Sequence, residues 1–357
     1  RPDLAKSLTL SHWPASLCRH RSMPPSSDQL AVLDAAHEAL PVELVEVRPG
    51  RTLAIHSQPR PGAEQTVLFV HGSCGSLLQW KDQIALAAKE RAVVAFDTFG
   101  CGRSPKPPEW DAYSFAELRD DLAAVLARFS VPGRTMVVVA HSAGCSLALA
   151  VAAASLASTP PGPPIDGLCL MGAFAEPPRV PSIFYLPTFV LSLMQPRLSA
   201  GFEALALHAD TRAGKTAARR YLLGLAPAVN AANDMFMCKA YYRQLSAPSK
   251  EEIQSVGAEV PCLLIAGEDD ALVPPESTAE LHALLSSGAP SEMHSVRATS
   301  HQLMQEDPEA VNALLGAFLQ SVYARPKPKK TAKARASAVP DKSFASQTRF
   351  SSLPSEE

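Results

Sequence analysis

The chain has 357 residues with a net charge of −2, of which 46% are hydrophobic and 19% charged. This composition supports a sizeable core and argues against an intrinsically disordered or nucleic-acid-binding protein. No apolar run approaches the roughly 20 residues that a membrane-spanning helix needs. The length fits either two domains or one α/β core with an insertion.

The seven cysteines form no C-x-x-C pair and lie mostly in apolar or glycine-rich segments. Such usage favours free thiols in a reducing compartment, so we expect an intracellular, cytoplasmic protein. Residues 1–25 contain four basic residues and one acidic residue. That pattern is typical of an organelle transit peptide or of a disordered leader, and both interpretations stay open.

Residues 1–40 are punctuated by proline and serine, and we expect them to be a disordered or leader segment. Short apolar runs then alternate with helical patterns, and several runs have no polar alternation, which indicates strands buried on both faces of a parallel sheet. The first two runs flank a turn signal and predict an antiparallel hairpin. The predicted strands are Val42–Val47, Leu53–His56, Thr66–Val70, Ala92–Phe96, Thr135–Ala140, Gly167–Met171, Cys262–Ala266 and Met293–Arg297.

Helices are predicted over Phe115–Phe129, Ser146–Leu156 and Pro308–Val322. Residues 176–258 interrupt the strand–helix alternation with seven prolines and helical patches, so we interpret them as a helical cap. The cap would separate two parts of one core, 41–175 and 259–323. Residues 324–357 are basic, with proline, alanine and serine, and are predicted to form a disordered tail.

A serine lies between a predicted strand and a predicted helix, in Ala140-His141-Ser142-Ala143-Gly144. A sharp strand-to-helix turn exposes such a hydroxyl above the sheet edge, and small residues two places either side let strand and helix pass closely. The usual pattern is G-x-S-x-G, and Ala140 stands at its first glycine. Ser142 is therefore the candidate nucleophile, flanked by His141 and Gly144. An ordinary strand–helix turn is the alternative.

A glycine-rich loop follows an earlier strand, in His71-Gly72-Ser73-Cys74-Gly75. His71, Gly72 and Gly75 would shape the loop so that the backbone N–H of Ser73 faces Ser142. The N–H of Ala143 would be the second donor of an oxyanion hole. No G-K-[ST] follows the glycines, so a phosphate-binding loop is excluded.

The acid and the base are expected after the last two strands, because the chain order in this class of site is serine, acid, histidine. Asp270 fits the acid better than Asp269, and His301 lies on the loop after the last predicted strand. His301 would act as general base, with Asp270 holding its tautomer. No H-x-x-x-H or H-E-x-x-H spacing occurs, so we do not expect metal catalysis.

Together these motifs resemble the α/β-hydrolases of the abhydrolase-1 type over residues 42–322. The matching segments are HG-x-x-G at 71–75, D-x-x-G-x-G-x-S at 97–104, x-H-S-x-G at 140–144, G-x-x-D-x-x-V-P at 267–274 and S-H-x-x-x-x-E at 300–306. The cap sequence Ser182–Thr188 is similar to one member of the animal abhydrolase domain-containing group. The resemblance implies an eight-stranded, mostly parallel sheet, an inserted lid and no cofactor. It implies nucleophile, acid and base at Ser142, Asp270 and His301.

The sequence thus predicts a serine hydrolase of carboxylic esters, acting on a small-molecule ester or lipid through an acyl-enzyme. The elbow carries no carboxylate, which argues against epoxide hydrolase and dehalogenase chemistry. A serine-dependent peroxidase or carbon–carbon hydrolase stays open, and so does a non-catalytic binding or scaffold protein of the same fold. Peripheral membrane contact through the apolar cap or the basic tail is a further expectation. The alternatives are that the apolar cap residues only pack on the core and that the tail has no function.

Overall fold

The computed structural model describes residues 24–159 and 162–325. Its strands are β1 Glu43–Arg48, β2 Arg51–Gln58, β3 Gln65–Val70, β4 Ala92–Asp97, β5 Thr135–His141, β6 Gly167–Met171, β7 Cys262–Gly267 and β8 Ser291–Val296. Its helices are α1 Ser27–Ala39, α2 Lys81–Ala87, α3 Phe115–Phe129, α4 Ala143–Ala157, α5 Thr188–Ala206, α6 Ala209–Arg212, α7 Ala217–Ala231, α8 Met235–Arg243, α9 Lys250–Glu259, α10 Pro275–Leu285, α11 Leu303–Glu306 and α12 Pro308–Ala324.

The eight strands form one sheet in the order β1-β2-β4-β3-β5-β6-β7-β8. β2 pairs antiparallel with β1 and with β4, and every other neighbouring pair is parallel. The predicted mostly parallel sheet is therefore confirmed, and the fold is that of the α/β-hydrolases. Because β3, β5, β6 and β7 run in one direction, the loops that follow them meet at one edge of the sheet.

Helices cover both faces of the sheet, and alternate residues of each central strand enter opposite cores. In β3, Leu68 packs into a cluster with α3, α4 and α10, whereas Phe69 packs into a second cluster with Trp80 and α12. All six residues of β3 are buried. This two-sided burial explains the continuous apolar runs of the sequence.

Residues 27–39 form helix α1, so the prediction that residues 1–40 are a disordered or leader segment is wrong for this part. Ser26 and Gln29 form a capping box at its start, each side chain bonding the other's backbone N–H. Ala36 and Leu40 are buried in the core cluster that contains Trp80. The capping box and the burial of these two apolar residues stabilise the helix over residues 27–39. Residues 1–23 lie outside the described part of the chain.

The predicted cap boundary at residue 258 is also too late, because α9 packs on the core. An added Cβ at Gly257 would lie only 2.2 Å from the carbonyl oxygen of Leu285, at the end of α10. The N–H of Ala289 donates to the Gly257 carbonyl. The helices of the cap itself are α5 to α8. Of the predicted disordered tail, 326–357 lies outside the described residues, and Ala324 ends α12.

Candidate active site

Ser142 occupies the sharp turn between β5 and α4, in a backbone conformation with φ of 51° that non-glycine residues rarely adopt. Gly144 makes this turn possible, because a Cβ there would lie 2.6 Å from the carbonyl oxygen of His71. Ala140, in place of a glycine, is fully buried within β5. The turn leaves Ser142 partly exposed and lining a cavity.

His301 and Asp270 form a buried pair beside the same cavity. Nδ1 of His301 donates to Oδ2 of Asp270 over 2.7 Å, and the two residues are only 4% exposed each. The other carboxylate oxygen, Oδ1, accepts the N–H groups of Leu272 and Val273, both at 2.9 Å. With its proton on Nδ1, the neutral imidazole leaves Nε2 able to accept a proton.

Asp269 is placed differently from its neighbour. Its side chain is 55% exposed, and it approaches Nε2 of His208 at 3.4 Å. The structure therefore brings Asp270 to His301 and leaves Asp269 at the cap boundary.

The loop of residues 71–75 is held by hydrogen bonds of the His71 ring. Nδ1 donates to the carbonyl of Gly72 over 2.7 Å, while Nε2 accepts the N–H of Thr98 over 2.9 Å. Burial lowers the pKa of His71, so the ring stays neutral in this arrangement. At Gly75, a Cβ would meet Nδ1 of His71 at 3.1 Å.

Gly72 lies against the elbow. A Cβ at this position would stand 2.9 Å from Cβ of Ser142 and 3.0 Å from Nδ1 of His141. Only glycine lets the loop approach the serine so closely. Ser73 and Ala143 both line the cavity beside Ser142. Ala143 is the first residue of α4, where backbone N–H groups have no acceptor within the helix.

His141 supports the loop of His301. Its Nε2 donates to the carbonyl of His301 over 2.9 Å, and the two ring centroids are 4.6 Å apart. Burial, and then the nearby His301, lower the pKa of His141 well below its usual value. His141 therefore remains neutral and positions the His301 backbone.

Cys74 is a nucleophilic residue type in the cavity wall. A hydrogen bond with Cys238 and burial raise its pKa well above the ordinary value. It is therefore a neutral thiol, a poor competitor for Ser142. All six cysteines between residues 24 and 325 are free, and Cys18 lies outside the described residues.

The cavity has a volume of about 550 Å³, within the usual range for small-molecule sites. Its walls are mainly apolar and come from both the core and the cap, with Phe174, Phe184, Leu198, Phe202 and Leu225 among them. The apolar residues of the cap differ in their surroundings. Ile183 and Phe184 line the cavity, Leu191 is buried, and others are exposed on the surface.

Two supporting residues of the cap carried no sequence signal, and a third residue, Glu306, ends the S-H-x-x-x-x-E motif at 300–306. The side-chain amide of Asn233, from the cap, donates to the carbonyl of Cys74 over 2.7 Å. Arg219, also from the cap, donates to the carbonyl of Ala298. Glu306 is buried and accepts the N–H groups of Ser300 and His208. The cap thus contacts both the loop of residues 71–75 and the loop that carries His301.

In the part of the chain that is described, no helix is long and apolar enough to cross a membrane. Across the same residues no three His, Cys, Asp or Glu side chains form a group that could hold a metal ion.

Residues 67–314 match the family described as the alpha/beta hydrolase family. The chain therefore belongs to this family, as its sheet, elbow and inserted cap already indicate. It is similar to Protein ABHD8 of Mus musculus, with 30% identity over 283 residues, which is 76% of this chain and 60% of that protein. This similarity confirms the resemblance to the abhydrolase domain-containing group.

Solved structures of other proteins share the fold. A hydrolase from Pseudomonas aeruginosa PA01 superposes with a TM-score of 0.63 at 18% identity, covering 78% of this chain and 98% of its own. A thermophilic esterase from Thermogutta terrifontis has a TM-score of 0.60 at 20% identity, covering 79% of this chain and 97% of its own.

Proposed function

We propose that this chain is a serine hydrolase that cleaves carboxylic esters, including lipid-like esters, through an acyl-enzyme on Ser142. The observation that carries the proposal is the buried His301–Asp270 pair, joined by the 2.7 Å hydrogen bond, whose histidine lines the same cavity as Ser142. The family and the esterase among the structures of the same fold support it.

In the proposed reaction, Oγ of Ser142 attacks the ester carbonyl carbon while Nε2 of His301 takes the hydroxyl proton. The carbonyl π electrons move to its oxygen, which the N–H groups of Ser73 and Ala143 stabilise. Collapse of this intermediate breaks the ester C–O bond, and the departing alkoxide takes the proton from His301. A water then attacks the acyl-enzyme with His301 again acting as base, which frees Ser142.

Asp270 has two functions in this scheme. It holds His301 in the tautomer with a proton on Nδ1, and its negative charge stabilises the imidazolium formed during each step. Its second oxygen is already satisfied by Leu272 and Val273, so the carboxylate cannot turn away without losing two hydrogen bonds. The Asp270 side chain is therefore fixed before substrate binds.

The apolar cavity favours esters with a hydrocarbon acyl group, because burying each CH₂ contributes about 0.8 kcal/mol. A series of p-nitrophenyl esters of increasing acyl length tests the activity. We expect hydrolysis by the wild type that rises beyond the acetate ester, and a loss of at least about 1,000-fold in Ser142→Ala and in His301→Gln.

No turnover of any ester by a folded wild-type chain would contradict the proposal. It would favour a binding or scaffold protein that uses the same cavity. The Asp270→Asn variant tests the charge of this residue separately from its shape, because it keeps the shape of the side chain while removing its charge.

A further inference from the structure

The outer surface of the cap has an unusual concentration of exposed apolar side chains. Eleven large hydrophobic side chains are exposed among the described residues, and four of them fall between residues 185 and 193. These are Tyr185, Leu186, Phe189 and Leu193, with Leu193 the most exposed at 74%. Scattered apolar residues are normal on a protein surface, but a contiguous group indicates a contact site.

These side chains share one surface with two arginines. Phe189, Leu193 and Arg197 are spaced four residues apart on α5, so they lie on one side of the helix. The opposite side packs inward through Leu191 and Gln195, both buried. We call Arg179, Tyr185, Leu186, Phe189, Leu193 and Arg197 the cap face.

The charge of this region has one sign. Residues 177–202 contain two arginines and neither aspartate nor glutamate. Arg179 and Arg197 are exposed and form no ion pair with any described residue. The next acidic residue on α5, Glu203, accepts a hydrogen bond from Asn230. Nearby, the Arg243 guanidinium lies 4.5 Å from the Tyr185 ring centroid and adds further positive charge.

The cavity opens at this same surface. Arg179, Pro181, Arg197 and Gly201 line the cavity and are also exposed, so they mark its opening. Ser142 and His301 line the cavity too. If a lipid surface touches the cap face, a molecule that leaves this surface would enter the cavity in the direction of Ser142.

We propose that the cap face docks this chain on a lipid surface that carries anionic head groups. The apolar side chains would enter the boundary between head groups and acyl chains, and Arg179 and Arg197 would contact the phosphates. This docking brings the cavity opening to the lipid. It does not depend on the reaction at Ser142.

Co-sedimentation of the full chain with vesicles tests the proposal. We expect stronger binding to phosphatidylcholine vesicles that contain phosphatidylserine than to phosphatidylcholine alone. Each arginine at an anionic surface contributes about fivefold in affinity, so Arg179→Gln with Arg197→Gln should weaken that binding about 25-fold. Leu193→Asp should weaken it at least about tenfold.

Matched controls come from other surfaces. Leu44, on the edge strand β1, is 65% exposed, and Leu44→Asp should leave vesicle binding unchanged. Arg128→Gln with Arg134→Gln, at the end of α3 and in the loop after it, removes two charges and should have little effect. The basic residues after Ala324 are present in every variant and cannot cause a difference between them.

The outcomes separate docking from catalysis. Ser142→Ala should bind vesicles like the wild type, and Leu193→Asp should hydrolyse a short soluble ester like the wild type. Failure of the wild type to bind either vesicle, or equal losses in Leu44→Asp and Leu193→Asp, would overturn the proposal. So would a dimer in sedimentation velocity that Leu193→Asp dissociates, because a second copy would then cover the cap face.

Discussion

The backbone N–H of Ser300 donates to the carboxylate of Glu306 over 2.5 Å, immediately before His301 in the chain. The other Glu306 oxygen accepts the N–H of His208 at 2.7 Å and the hydroxyl of Thr211 at 2.6 Å. Glu306 is only 2% exposed. One buried carboxylate therefore joins the His301 loop to the cap.

We expect Glu306→Gln to lower kcat about tenfold or more while KM changes little. The amide keeps the shape but places an NH₂ group against a backbone donor, which costs about 1–3 kcal/mol and shifts the His301 loop. Ester kinetics measure the effect, and circular dichroism reports the fold. Glu309→Gln, on the exposed start of α12, is the control, and an equal loss in both variants would assign Glu306 no positioning role.

Gly72→Ala should reduce activity at least tenfold, because the new methyl group would overlap Cβ of Ser142 at 2.9 Å. Displacing a reacting group by about 1 Å is enough to cost about 100-fold. Gly224→Ala is the matched control, since nothing lies within 4 Å of a Cβ at that position. Wild-type activity in Gly72→Ala would mean that the loop does not approach Ser142 as closely as described.

The central sheet was predictable from sequence because strands buried on both faces have continuous apolar runs. β3 and β5 are fully buried, and their continuous apolar runs predicted parallel strands. Helix α1 was missed because proline and serine dominate the segment before it, and because Ala36 and Leu40 are the only apolar residues buried there, with Val32 and Leu33 packed against the same core cluster. The α9 boundary was missed because Gly257 marks close helix packing, which spacing along the chain does not reveal.

The candidate nucleophile, acid and base were predictable because strand order fixes where their loops meet. Of the two adjacent aspartates, Asp270 was predicted as the acid from its position relative to Gly267 and Pro274. The structure places Asp270 against His301. Asn233 and Arg219 were not predictable, since each contacts a loop more than 70 residues away in sequence. Neither residue has a spacing or composition that distinguishes it from a surface residue of the cap.

Acid should destabilise the fold through buried histidines. Burial lowers the pKa of His141 far below the value of about 6.5 that it has in the unfolded chain. The unfolded chain therefore binds a proton that the folded chain does not, so stability falls as pH drops below about 6.5. Urea unfolding should show that His141→Gln loses roughly 1 kcal/mol less than the wild type between pH 6.5 and 5.5. Equal losses would show that His141 does not stay neutral.

Asp121 should contribute far more to stability than its neighbour Asp120. Asp121 is buried and accepts from Arg51 Nε at 3.0 Å and from Arg48 Nε at 2.7 Å. Asp121→Asn leaves a buried guanidinium without its counter-charge, and we expect a loss of about 3–5 kcal/mol. Asp120→Asn breaks only a half-exposed pair with Arg119 and should cost about 0–1 kcal/mol. Chemical denaturation of both variants decides this, and similar values would refute the difference.

Covalent labelling by a fluorophosphonate probe, with the modified peptide identified by mass spectrometry, tests the nucleophile most directly. We expect one phosphonyl group on Ser142 of the wild type, slower labelling in His301→Gln, and none in Ser142→Ala. Folded wild-type protein that stays unlabelled, or a label on any other residue, would contradict the assignment of Ser142.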